Sequence, residues 1–305
     1  MNHNYDNYNY WEIDLNEMPS RGALYPKNTK IKLRSLSVLE IKLLATLTEK
    51  NSTNICNELL SKCLILENLP IEKLTLADRM FLIFWIRLNS FISSNGFIVN
   101  IPECSNCKSK IEHNIKLLDL NFKYLDHPLK KSVFLPDLAV KIPLRVPLYN
   151  DSKIKTDDDL EMVSLWIDTD NTLEEKYNFL SNLTAFDYIT LKNAIDYNYF
   201  GVIDELEIEC PNCKMKHPVK IVINDNNLFN AINLMDVLET ITRIAKYANL
   251  QITNDWSWIE VEVEQQIINK MVKEEEEFNR KETAKAKAQA GSISHTPSLP
   301  SIPKF

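Results

Sequence analysis

The cysteines are the residues of this chain whose spacing most directly implies chemistry. Cys104-Ser-Asn-Cys107 and Cys210-Pro-Asn-Cys213 are two C-x-x-C pairs, 106 residues apart. In a β-turn such a pair is a zinc knuckle: two thiolates reach one metal from a tight turn, and four complete a tetrahedral site. The pairs therefore predict one structural Zn²⁺ held by Cys104, Cys107, Cys210 and Cys213. Such a site is closed, with no position for a reacting water, so it stabilises a fold rather than catalyses. A thioredoxin-type dithiol needs its first cysteine at a helix N-terminus, whereas both pairs here lie between strand-like segments. Cys56 and Cys63 sit seven apart among Leu59 and Leu60 and read as core thiols. His217 comes four residues after Cys213, at a strand position expected to face solvent, and is left outside the site.

Little else in the sequence suggests a reaction. The 4 glycines, Gly22, Gly96, Gly201 and Gly291, are too dispersed for a dinucleotide fingerprint or a P-loop, and no G-x-S-x-G elbow exists. His3, His113, His127, His217 and His295 form no H-E-x-x-H pattern. Asp157-Asp158-Asp159 lacks the glycine and distal glutamate of a calcium loop and reads as a helix N-terminus, where carboxylates suit the dipole. No nucleophile, base and oxyanion donor assemble, so the chain is expected not to be an enzyme. A net charge of −7 argues against a dedicated duplex binder. Lys108, Lys110, Lys116, Lys214, Lys216 and Lys220 do make the knuckle region locally basic. They leave a nucleic-acid-associated zinc-ribbon protein as the alternative, without the interleaved aromatics that stack bases. The most apolar stretch, Met80 to Leu88, contains Arg87 and is too short to span a bilayer; with no signal-like N-terminus, a soluble cytosolic protein is expected.

The elements that must carry the cysteines come from local patterning. The fold expected is α+β and mainly helical. Ser37 with Glu40, Thr75 with Asp78, Thr172 with Glu175 and Thr184 with Asp187 are helix-opening pairs. The first helix is expected to bury Leu39, Leu43, Leu44 and Leu47, the second to span 54–63, and a long one to open near Asn227. Strands are expected at 30–35, 97–101, 113–117, 204–209 and 217–224, with a hairpin in 133–148. Two stretches repeat one order of elements: a Pro-flanked strand ending Leu33-Arg34 or Leu144-Arg145, a T-x-x-D helix, a glycine, a strand, a C-x-x-C and lysines. This predicts an internal duplication whose two knuckles share one four-cysteine, zinc-ribbon-like site. The domain reading is an irregular segment 1–29, repeat units 30–135 and 136–226, C-terminal helices 227–290, and a Ser/Pro-rich tail 291–305 expected to dock on a partner.

The segment Met18-Pro19-Ser20-Arg21-Gly22-Ala23-Leu24-Tyr25-Pro26 resembles the L-P-S-[KR]-G-x-x-Y opening of baseplate proteins from T-even-type contractile-tailed phages, with Met18 in place of the usual Leu. A strand and S-x-x-E helix (Lys30–Leu47), then Asp78, Arg87 and Cys104–Cys107, are similar to the succeeding elements of that family. The resemblance implies a baseplate hub or hub-assembly protein. It would fold in the host cytoplasm, bind other hub or tail proteins, and either stay in the virion tail or act in assembly alone.

Overall fold

A computed structural model describes residues 9–92, 97–101, 103–116, 120–153, 158–203, 205–221, 225–229 and 232–291. Its elements run β1 (Trp11–Glu12), β2 (Lys30–Leu33), α1 (Val38–Leu44), α2 (Ser52–Cys63), β3 (Leu64–Glu67), α3 (Leu76–Ser90), β4 (Phe97–Ile101) and β5 (Ile111–Ile115). Next come β6 (Phe122–Lys123), β7 (Ser132–Leu135), β8 (Val140–Pro143), α4 (Asp159–Ser164), α5 (Leu173–Ser181) and α6 (Ala185–Asn198). The chain continues through β9 (Gly201–Val202), β10 (Glu205–Glu209), β11 (Lys216–Lys220), α7 (Asp225–Leu228), α8 (Leu234–Ala248) and α9 (Trp258–Gly291). The mixed helix and strand content is that of an α+β protein.

Helix starts fall where the side chains can satisfy the free N–H groups of a first turn. Thr75 accepts from Asp78 N–H at 3.1 Å, Thr184 from Asp187 N–H at 3.2 Å, and Thr172 and Glu175 close a reciprocal capping box. Asp78 and Asp187 are both fully buried. Each carboxylate reaches past its own helix to the N–H groups of a Pro-containing turn. Asp78 Oδ1 accepts from Ser20 N–H at 2.9 Å, and Asp187 accepts from Asp137 and Leu138 N–H, both at 3.1 Å. The opening motif thus clamps the first turn of α3: Tyr25 donates to Asp78 and accepts from Thr75 N–H at 3.1 Å. Gly22 is required there, with φ +66° and an added Cβ only 2.9 Å from that of Leu15.

A second polar device also occurs twice. Arg34 is bidentate to Glu40 at 3.0 and 3.2 Å, and Glu40 accepts from Ser37 N–H at 2.8 Å. Arg145 is bidentate to Asp151 at 2.9 and 3.0 Å, and Asp151 accepts from Leu148 N–H at 2.7 Å. In each, an arginine leaving a strand meets a carboxylate six residues on. The two turns then pair with helix starts, Ser37 bridging Ser257 before α9 and Leu148 bridging Thr75 before α3.

Sheets are small and antiparallel: β1-β2-β3, and the two-stranded β4-β5, β6-β9, β7-β8 and β10-β11. Buried apolar residues form two clusters. One gathers β2, α1–α3, the knuckle residues Cys104, Ile111, Ile208 and Cys210, and Val237, Ile244, Val261 and Ile268 of α8 and α9. The other packs Leu135, Leu144, Val163, Trp166, Leu180, Leu191 and Ile195.

Three expectations need correction, and one strand was not anticipated. α1 stops at Leu44 and buries Val38, Ile41 and Leu44, while Leu39 is exposed, because Val38 and Leu39 N–H pair with Trp256 and Asn254. Leu64–Glu67 is a strand on β2, held in register by Lys32–Glu67 at 2.7 Å, and was not legible as one. The helix expected near Asn227 opens instead at Asn233, whose side chain accepts from Met235 N–H, after the separate turn α7. The strand expected at 113–117 begins earlier, at Ile111, where it pairs with Ile101. Gly96, Asp157 and the tail 292–305 lie outside the described residues.

Candidate metal centre

Each C-x-x-C sits in the turn of a β-hairpin, the first between β4 and β5, the second between β10 and β11. The two turns close with the same bonds. Cys104 N–H donates to Ser109 O at 2.8 Å and Lys108 N–H to Cys104 O at 3.0 Å; Cys210 N–H donates to Met215 O at 2.8 Å and Lys214 N–H to Cys210 O at 2.9 Å. Lys108 and Lys214 both adopt φ +63°, a left-handed conformation that costs an L-residue about 1–2 kcal/mol. That strain turns the chain sharply enough for N–H groups to face a sulfur: those of Asn106 and Cys107 face Cys104, and those of Asn212 and Cys213 face Cys210.

The four sulfurs lie within 4.8 Å of one another. The two crossing pairs, Cys104–Cys213 and Cys107–Cys210, are each 3.6 Å apart. A metal at ~2.3 Å from four tetrahedral sulfurs needs S···S edges of about 3.8 Å, so this donor set fits a metal ion. Cys104 and Cys210 are buried, Cys213 is half-buried and Cys107 is exposed. The hairpins bring their sulfurs together from opposite sides, so that two dithiols become one four-sulfur cluster.

Ser109 is the residue the sequence did not announce. Its hydroxyl lies 3.0 Å from Cys107 Sγ and 3.5 Å from Cys210 Sγ. The Ser109 hydroxyl and backbone N–H lower the Cys107 thiol below its ordinary value. Cys210 falls to about 6, led by the Ser109 hydroxyl and then by the N–H of Cys213. Cys104 moves the other way: despite the N–H of Cys107, burial and the adjoining Cys213 and Cys107 thiols raise it. Four thiols this close cannot all ionise without a cation between them, which divides them into easy and reluctant acids.

His217 also departs from expectation. Its Nε2 is 3.3 Å from Cys104 Sγ, so the ring faces the cluster and not solvent. The period-2 alternation of β11 places it on the side of half-buried Val219, which is the signal that would have found it. Cys56 and Cys63 are buried in the core away from the cluster, and burial pushes the Cys63 thiol up to about 12.

The knuckle lysines are largely engaged locally. Lys108 pairs with Glu103 at 3.0 Å, Lys214 with Glu209 at 3.4 Å and Lys216 with Glu207 at 2.8 Å. Of the acidic run, Asp158 caps α4 by accepting from Leu160 N–H, and Asp159 accepts from Lys192 and Tyr188. Among the described residues, no helix is long and apolar enough to cross a membrane.

A family model described as T4 bacteriophage base plate protein matches residues 12–229, which span both hairpins and the opening motif. No curated protein matches significantly, and no solved structure does.

Proposed function

The chain belongs to the T4 bacteriophage base plate protein family, and from that membership we propose that it is a non-enzymatic structural or assembly protein of a phage tail baseplate hub. It works by binding other hub or tail proteins, in the host cytoplasm during assembly. The observation that carries this reading is the family match over 12–229, covering well over half of the chain. Co-expression with the other baseplate proteins, followed by affinity capture, tests it: co-elution with hub components is expected, and elution alone would overturn it. Proteomics of purified virions then separates a resident component from an assembly factor.

Within that role the cluster holds one structural Zn²⁺ through Cys104, Cys107, Cys210 and Cys213. Two features support this: the all-sulfur donor set that zinc favours, and the closed coordination of a four-cysteinate site. Bound there, zinc supplies structural cross-linking and no reaction step. Native mass spectrometry of protein purified without chelator is expected to give one zinc per chain, lost in Cys210→Ser; a metal-free wild-type mass would end the reading.

The duplication belongs to the same proposal. Its support is the twofold recurrence of three devices: the knuckle with its left-handed lysine, the buried aspartate of a T-x-x-D cap, and the arginine with a carboxylate six residues on. The unit boundaries near 30, 136 and 227 rest on that recurrence. Glu103, Glu209 and Glu207 beside Lys108, Lys214 and Lys216 offset part of the local basic charge that a nucleic-acid role would draw on.

A further inference from the structure

The distal half of α9 leaves the body of the protein. From Lys273 to Lys287 every residue is exposed. At 1.5 Å per residue that is about 22 Å of helix with no packing of its own. A helix that is polar all round and unsupported is marginal in water.

The same helix carries a second apolar stripe, about a third of a turn around from the face that buries Val261 and Ile268. Val263, Ile267, Met271 and Phe278 are 43%, 47%, 60% and 62% exposed. Their spacing of four, four and seven puts them in one line along the helix. At about 100° per residue Glu274, Lys281 and Lys285 continue that line. The exposed seam therefore runs apolar, then Glu274, Phe278, Lys281 and Lys285.

The order of charges selects the occupant. A parallel copy would set Glu274 on Glu274 and Lys285 on Lys285. An antiparallel copy sets Glu274 against Lys285 of the second copy at both ends, and in the same register sets Phe278 on the alkyl stem of the second copy's Lys281. The flanking charges agree on balance: Glu274 to Glu277 precede Arg280, Lys281, Lys285 and Lys287, interrupted by Glu282, so reversal brings an acidic block to a mainly basic one. Lys285 presently lies 3.1 Å from Glu282 in an exposed contact that a partner carboxylate can replace. We propose that the 274–285 part of this seam is a self-association surface, on which a second copy of this chain pairs its own α9 antiparallel, with Phe278 near the centre and Val263, Ile267 and Met271 lying outside the paired segment. The helix lies beyond the family match that ends at residue 229, so the inference rests on this chain's own residues and not on the baseplate reading.

The test uses the full chain in sedimentation equilibrium. The wild type is expected to dimerise, and Phe278→Ala to raise the dimer dissociation constant at least tenfold. Glu274→Lys and Lys285→Glu are each expected to weaken pairing. The double swap Glu274→Lys/Lys285→Glu restores the homodimer, and mixing the two single variants restores a heterodimer. All positions are exposed, so circular dichroism is expected to show unchanged folding. A wild type that stays monomeric at its highest soluble concentration overturns the proposal. So does a dimer indifferent to these substitutions, or a double swap no better than the singles. A Phe278-dependent complex with a different tail protein and no dimer would likewise assign the seam to another occupant.

Discussion

Arg79 is the largest fully buried side chain of α3, 1% exposed, and it joins the core to the segment just after the second knuckle. Its two terminal nitrogens donate to Asp225 at 3.0 and 2.8 Å, and its Nε donates to Asn57 at 2.7 Å. Replacing Asp225 by Ala leaves a guanidinium charge buried with two donors unmet. Breaking one side of a buried pair costs about 3–5 kcal/mol, and two charge-assisted bonds at about 1.5–3 kcal/mol each reach the same range. Arg79→Leu is expected to cost less, about 2–4 kcal/mol, because Asp225 is 8% exposed and water can approach the orphaned carboxylate. The double variant Arg79→Leu/Asp225→Ala removes both charges together and is expected to cost less than the sum by about 2 kcal/mol or more. Urea denaturation monitored by far-ultraviolet circular dichroism gives each value. A chain of this size loses about 2 °C of Tm per kcal/mol, so calorimetry of Asp225→Ala is expected to register a fall of about 6–10 °C. A single-variant cost below about 1 kcal/mol, or strict additivity in the cycle, would refute the tether.

Asp78→Ala strands Ser20 N–H in a fully buried site and leaves the Tyr25 hydroxyl only the longer acceptor Thr75 Oγ1, at about 2–5 kcal/mol. Asp187→Ala strands two half-buried N–H groups, at about 1–2 kcal/mol; equal costs in urea unfolding would contradict the burial argument. Lys108→Gly and Lys214→Gly relieve φ +63° at exposed positions and are each expected to stabilise by about 0.5 kcal/mol in the same assay, after the glycine's own entropy cost. Ser109→Ala is expected to weaken metal affinity about tenfold without unfolding the chain, measured by competition with a chelator. Burial works to raise Glu40, but Arg34 and Ser37 overcome it and hold the carboxyl below its ordinary range. This stabilisation is therefore present above the unfolded value near about pH 4.3 and is lost as pH falls through the lower folded value. Glu40→Gln is expected to flatten the stability profile in that window, and an unchanged acid limb would count against it.

The sequence was most readable where structure is decided within four residues. T-x-x-D, T-x-x-E and S-x-x-E starts, and the two C-x-x-C turns, need only neighbouring side chains and N–H groups, and they stand where expected. Phase was harder. Leu39 looks like core on any helical wheel, yet the backbone of 254–256 occupies that side and turns it outward. Leu64-Ile65-Leu66-Glu67 continues the apolar character of α2, and only pairing with β2, far back in the chain, makes it a strand. The Arg34–Glu40 and Arg145–Asp151 pairs were hidden because neither pair lies within a single helix or strand, so no period links its members. They are spaced by the turn they brace. Ser109 and His217 were obscured for a related reason, since each becomes a neighbour of the facing sulfurs only when the other hairpin arrives.

The two halves of the sulfur cluster are separated by a long stretch of chain, and that fixes a time order. At ribosomal rates of ~5–20 residues per second, Cys104 and Cys107 emerge roughly 5–20 s before Cys210. Until then the first hairpin is a lone dithiol, exposed to oxidants and to competing metals. A chain cut short anywhere before residue 213 can never complete the four-sulfur set. The cluster is therefore also a mark of synthesis past residue 213, separating such copies from shorter fragments.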